Sequence, residues 1–214
     1  MTPYYDHDGI TIYNARCEDV LPSIDPATVD LLLTDPPYGI DYKPGRGKRS
    51  ALEWDAVEGD AVPFDPRHLL AYRRAVLWGA NNYTEHLPRG GWLWWDKRIL
   101  NDTKGSNSDG ELAWTNLITG VRGFRHLWVG GYRASEYGFH VHPTQKPAAL
   151  MRWIIDRWTK PGQLVLDPYM GSGPVAQACH ELGRRYVGIE LVEDYCTVAV
   201  TRLRQQTLDF GGAA

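Results

Sequence analysis

The stretch from Gln163 to Glu190 constrains the fold more than any other part of the chain. Gln163-Leu-Val-Leu-Asp167 is a short apolar run that stops at an acid, the pattern of a strand buried on both faces. Pro168-Tyr169-Met170-Gly171-Ser172-Gly173-Pro174 then opens a helix that runs through Leu182 and is ended by Gly183. Glycine lets the backbone approach a ligand closely, a helix N-terminus offers free N–H groups, and Pro174 suits a first turn. Arg185-Tyr-Val-Gly-Ile-Glu190 is a second strand. It ends in an acid roughly 23 residues after Asp167, near the spacing at which βαβ units bond ribose hydroxyls. A strand–loop–helix–strand unit of this kind predicts an α/β fold with a mostly parallel, doubly wound sheet.

The glycine loop lacks the GxGxxG of dinucleotide folds and the Lys-Ser/Thr ending of a P-loop, which disfavours pyrophosphate and triphosphate. An adenosine bearing something other than phosphate fits better. S-adenosylmethionine is such a ligand: its ribose would take Glu190, and its amino acid end would sit over Gly171, Ser172 and Gly173, near Asp167.

A second apolar run, Val29-Asp30-Leu31-Leu32-Leu33-Thr34, ends in Asp35-Pro36-Pro37-Tyr38. It reads as a buried strand delivering a rigid turn to its carboxyl edge, where open α/β sheets bind ligands. The two prolines remove two N–H donors, so the turn offers hydrogen-bond acceptors. A carboxylate, a carbonyl and an adjacent ring suit a flat ligand carrying an amino group; an ordinary strand-ending turn is the alternative.

Further strands are expected at 10–15, 75–79, 92–96, 111–116 and 126–130, helices at 66–75 and 146–160, and a helical turn at 18–23. The polar segment 97–110 reads as a loop. The composition, 43% hydrophobic over 214 residues, supports one core. Cys17, Cys179 and Cys196 lie far apart without zinc-like spacing, and the histidines near 140 lack a third ligand, so no metal is expected. No apolar stretch is long enough for a membrane span, and a cytoplasmic location is expected. A net charge of −3 does not mark a general nucleic-acid binder, so such a partner needs local basic patches. Lys43, Arg46, Lys48 and Arg49 form one candidate; Arg122, Arg125 and Arg133 form another.

The stretches VDLLLTDPPYG, WGANNY, GGWLWWDK, SDGELAWTN, HPTQKP, LDPYMGSG and GRRYVGIEL, in this order, resemble the DNA amino-methyltransferases of the β group, in which the catalytic motif precedes the cofactor motif. The resemblance covers nearly the whole chain. It implies a single S-adenosylmethionine-dependent methyltransferase domain with a Rossmann-like, circularly permuted fold. Small DNA-recognition insertions are expected near 42–62, 97–110 and 117–140. It further implies a DNA substrate, a restriction-modification setting, and a monomer or homodimer.

In this family the exocyclic amine of a flipped base is the methyl acceptor, and an Asp-first motif points to adenine N6 over cytosine N4. By resemblance, Asp35 and the Pro36 carbonyl would accept the amino hydrogens, Pro37 would stiffen the turn, and Tyr38 would stack on the base. Asp167, Pro168, Tyr169, the glycine loop and Glu190 would hold the cofactor, with Thr144 and Lys146 contacting its methionine part. Relatives commonly end the first strand in Gly-Asp, whose acid contacts the cofactor adenine; Ala15 and Arg16 stand here instead, leaving Cys17, Glu18 and Asp19 as replacements. No cysteine lies in a Pro-Cys loop, which excludes carbon-5 cytosine methylation. Methylation of RNA or of a protein amide, and a non-catalytic binding module, are the alternative readings.

Overall fold

Leu31, Leu32 and Leu33 are wholly shielded from solvent within a sheet that has nine strands among the described residues. The computed structural model describes residues 1–41, 59–98, 108–129, 132–136 and 145–210. Its strands are β1 (Tyr5–His7), β2 (Ile10–Asn14), β3 (Leu31–Thr34), β4 (Ala75–Trp78), β5 (Gly91–Asp96), β6 (Gly110–Thr115), β7 (Val121–Arg125), β8 (Trp128–Val129), β9 (Tyr132–Arg133), β10 (Leu164–Asp167) and β11 (Arg185–Glu190). Its α-helices are α1 (Cys17–Val20), α2 (Ala148–Trp158), α3 (Pro174–Glu181) and α4 (Glu193–Phe210).

The sheet order is β1-β2-β11-β10-β3-β4-β6-β5-β7, with β8 and β9 forming a separate ribbon. From β2 to β4 all neighbours are parallel. β6 runs against both β4 and β5, and β7 is parallel to β5. The parallel strands are apolar throughout because both faces are covered. Leu31 and Leu33 share a core with Ile154 of α2, Val175 of α3 and Leu203 of α4, whereas Leu32 packs with Leu69, Tyr72 and Tyr83 on the other side. Burying each such leucine contributes about 1.5–3 kcal/mol.

The doubly wound expectation holds, but the two faces are covered differently. Leu150, Met151, Ile154 and Ile155 place one apolar stripe of α2 against the sheet. On the opposite face the helix expected over 66–75 is a single 3-10 turn, Pro66–Leu69, capped by the Asp65 carboxylate at the Arg67 N–H. Leu69 in this turn and Tyr72 just after it both reach the core. β7 was not anticipated: it lies at the sheet edge, is largely exposed and carries Gly123, and so lacks an apolar run. The strand expected at 126–130 is reduced to Trp128–Val129.

β2 pairs with β11 along its full length, and the Tyr4 hydroxyl lies 2.9 Å from Thr197 Oγ1 on α4. The first strand and the last helix are thus neighbours, as the permuted order requires. Among the described residues no helix is long and apolar enough to cross a membrane.

Candidate active site

β3 and β10 lie side by side, with Leu31 opposite Val165 and Leu32 opposite Leu166. The chain leaves β10 through α3 to β11 on one side, and leaves β3 for β4 on the other. Their carboxyl ends therefore flank the topological switch point, the edge at which open α/β sheets hold ligands in a crevice. Across it the Thr34 hydroxyl donates to Asp167 Oδ1 at 2.6 Å. The two motifs picked out in the sequence, 133 positions apart, meet here.

The turn after β3 is fixed from below. Asp60, only 4% exposed, accepts the N–H groups of Tyr38 and Gly39 on one oxygen at 2.7 and 2.8 Å. The Tyr38 hydroxyl donates to Asp35 Oδ1 at 2.8 Å. Its ring covers Gly79, which follows β4 with φ +69°. Lys146, just before α2 and 3% exposed, donates its ammonium to Asp35 Oδ2 and lies 3.0 Å from both the Tyr38 hydroxyl and Glu111 Oε2. Lys97, following β5, completes the cluster by donating to Glu111 Oε1 at 2.9 Å. Two acids and two ammonium groups are thus interleaved, with a phenol between the acids.

Burial raises the Asp35 carboxyl above the usual range; the Lys146 charge opposes the rise and Glu111 adds to it. Burial disfavours the Lys146 charge, but Asp35 and Glu111 outweigh this and hold the ammonium above its ordinary value. Burial would also raise Glu111, yet Lys146 and Lys97 bring it down to about 2. Burial and then the two acids push the Tyr38 hydroxyl well up, so it remains a donor. Asp35 is therefore a hydrogen-bond acceptor whose hold on a proton is strengthened by burial, as suits contact with an amine that becomes acidic.

Behind it, Asp167 is 2% exposed and burial pushes its carboxyl up to about 7, against the bonds from Thr34, the Tyr169 N–H and the Tyr186 hydroxyl. A carboxyl raised on folding binds more protons in the native state than in the unfolded one between its ordinary value, about 4, and about 7. Its contribution to stability is complete below that window and is lost as pH rises through it. Asp167→Asn should therefore remove a fall in stability between pH ~4 and ~7; urea midpoints of both chains across that range measure it. Identical pH profiles would place the Asp167 titration elsewhere.

The loop after β10 carries Gly171 and Gly173 at φ +55° and +76°, the left-handed region. A Cβ on Gly173 would come within 2.7 Å of the Ala199 Cβ, so this glycine also admits α4. Glu190, at the end of β11, accepts the Gly171 N–H on one oxygen and the Val192 N–H on the other, both at 2.8 Å. Buried Arg202 of α4 donates to the Ser172 carbonyl at 3.1 Å and to Glu136 Oε2 at 2.9 Å. Glu136 in turn accepts the first N–H of α2, at Ala148. The loop is tied by these bonds to three surrounding elements.

Arg16 turns outward to Glu18, while Cys17 reaches the loop by donating its thiol to the Tyr169 hydroxyl at 3.3 Å. Among the candidate DNA contacts, Arg122 and Arg125 are exposed on β7, and Arg125 pairs with Asp96 at 3.0 Å. Arg133 is 8% exposed and its guanidinium lies 4.2 Å from the Trp128 ring centre, a cation–π contact. Lys43, Arg46, Lys48, Arg49 and Thr144 lie outside the described residues. Asp60, Gly79, Lys97 and Glu111 are site residues that the sequence alone does not single out, although Gly79, Lys97 and Glu111 lie in the stretches WGANNY, GGWLWWDK and SDGELAWTN.

Known proteins resemble this chain in sequence and in fold. A family model described as DNA methylase matches residues 93–201, half of the chain. Type II methyltransferase M2.DpnII of Streptococcus pneumoniae is 43% identical over 83 residues, which span 38% of this chain and 31% of that protein. The crystal structure of an M1.HpyAVI–SAM complex aligns with a TM-score of 0.55 and 25% identity over 90% of this chain and 99% of that one. The cytosine-N4-specific PvuII DNA methyltransferase shares the fold at 14% identity, with a TM-score of 0.63 over 94% and 88% of the two chains.

Proposed function

The chain belongs to the DNA methylase family, and from that premise we propose that it transfers a methyl group from S-adenosylmethionine to adenine N6 of a base flipped out of DNA. The observation that carries the reading is the Thr34–Asp167 hydrogen bond, which joins the end of the Asp35 strand to the start of the glycine loop.

The donor set fits the cofactor. Glu190 stands at the strand edge, where ribose hydroxyls are bonded in such folds, and is held against Gly171. Gly171 and Gly173 keep the loop backbone open to close approach. When bound, S-adenosylmethionine supplies an electrophilic methyl group. Cys17, which follows the Ala15-Arg16 positions where the family resemblance expects an adenine-contacting acid, is bonded to Tyr169 of the cofactor loop.

A base amine gives its lone pair to the ring and is a poor nucleophile. Asp35 and the Pro36 carbonyl accept its two hydrogens, which favours tetrahedral nitrogen and stabilises the positive charge that grows on it during transfer. Asp35, with its proton affinity raised by burial, then takes the proton that the methylated nitrogen sheds. Tyr38 provides the stacking surface for a base that must leave the duplex. Asp as the first motif residue favours adenine, with cytosine N4 the alternative. Arg122 and Arg125, with the basic segment 42–50, supply phosphate contacts to a short or loosely defined site.

Incubation with methyl-labelled S-adenosylmethionine and random-sequence duplex DNA, followed by nucleoside analysis, tests this. Label in N6-methyladenine is expected. Label in N4-methylcytosine would move the base assignment, and label in 5-methylcytosine, or none in DNA, would overturn the reading.

A further inference from the structure

Asp35 is occupied before any base arrives. Tyr38 donates to its Oδ1 and Lys146 to its Oδ2, so each carboxylate oxygen already carries one donor, and an incoming amine must share an oxygen with it or replace it. The Lys146 ammonium is 3% exposed and so cannot simply turn to water when displaced. Its second partner is Glu111 Oε2 at 3.0 Å. Glu111 stands on β6, a strand paired on both sides, and its other oxygen is fixed by Lys97 at 2.9 Å. The backbone holds the two arms together, since the Gly79 N–H donates to the Leu112 carbonyl next to Glu111 at 2.9 Å.

We propose that Glu111 is a positioning residue that draws the Lys146 ammonium off Asp35 when the target amine enters, so that Asp35 exchanges one donor for another without leaving a buried cation unpaired. The inference rests on the methyltransferase reading and deepens it. Glu111 touches neither base nor cofactor in this scheme; it acts through Lys146. Its low proton affinity keeps it anionic, as a receiving partner must be. With Gln at this position Lys146 has one full counter-charge left, Asp35, and stays on it.

The test is a double-mutant cycle on the full chain, with turnover measured at saturating S-adenosylmethionine on random-sequence duplex DNA. Glu111→Gln should lower kcat about 10²-fold, the scale for a misplaced reacting group, with KM for DNA little changed. Glu111→Asp, which keeps the charge, should recover part of the rate. In a Lys146→Met background, Glu111→Gln should change kcat by less than about threefold, because the cation it manages is gone. Equal losses from Glu111→Gln in both backgrounds would overturn the proposal and make Glu111 merely structural, as would unchanged kcat in the single variant. A crystal structure with DNA and sinefungin gives a readout that does not need the variants to fold. Lys146 on Glu111 with the base amine on Asp35 supports the exchange, and Lys146 still on Asp35 overturns it. Absence of transfer by the unsubstituted chain overturns the methyltransferase reading and this inference together; transfer that Glu111→Gln leaves intact overturns this inference alone.

Discussion

Asp35→Asn should lower methyl transfer to DNA about 10³-fold while leaving cofactor affinity within about twofold, the order seen when one group stabilising a developing charge is lost. Asparagine keeps the shape of the side chain and one acceptor oxygen. It loses the charge that opposes the positive nitrogen, and it cannot take the proton afterwards. It also turns an N–H₂ group toward donors that now bond a carboxylate, the Tyr38 hydroxyl and the Lys146 ammonium. Lys146 keeps Glu111 as a partner, so the fold should survive the exchange. Initial rates with labelled cofactor, alongside calorimetric cofactor binding, separate the two effects. Transfer within about tenfold of the unsubstituted rate would remove Asp35 from the chemistry.

Gly79→Ala should be nearly as damaging, although this residue carries no functional group. A Cβ there would fall 1.8 Å from Tyr38 Cε1 and 2.3 Å from Cζ, far inside contact distance. The backbone, at φ +69°, also resists any side chain, at a cost of about 1–2 kcal/mol. The ring must move, and its hydroxyl then leaves Asp35 and Lys146. A kcat lower by about 10²-fold is expected, together with a stability loss of about 1–3 kcal/mol, from transfer assays and urea denaturation. A chain with unaltered kcat would mean that the Tyr38 ring is not held against Gly79 during turnover.

The parts of the fold that the sequence made legible are those whose information is local. β10, the glycine loop, α3 and β11 form one continuous unit, and apolar runs ending in acids mark β3 and β10 with little ambiguity. Their meeting at the switch point follows from parallel topology once the motif order is known, and Thr34 and Asp167 do meet. Glu111, Lys97 and Asp60 were harder because each acts across the sheet. β6 is inserted between β4 and β5 by non-local pairing, and nothing in Gly110 to Thr115 shows that its acid will face Asp35 and Lys146. Asp60 resembles any turn acid until its two bonds to the Tyr38 and Gly39 N–H groups are seen. The missing helix at 66–75 and the unforeseen β7 share a cause. A few apolar residues fix which face is buried, whereas tertiary packing decides how long the element runs.

The claim that organises these observations is that Asp35 faces the methyl donor across the β3–β10 edge. A crystal structure of the chain with S-adenosylmethionine measures this directly. The account predicts the methionine end over Gly171 to Gly173, the ribose at Glu190 and the sulfonium methyl directed at the Asp35 side of the crevice. Cofactor bound away from the glycine loop, or with its methyl group turned out of reach of Asp35, would contradict it.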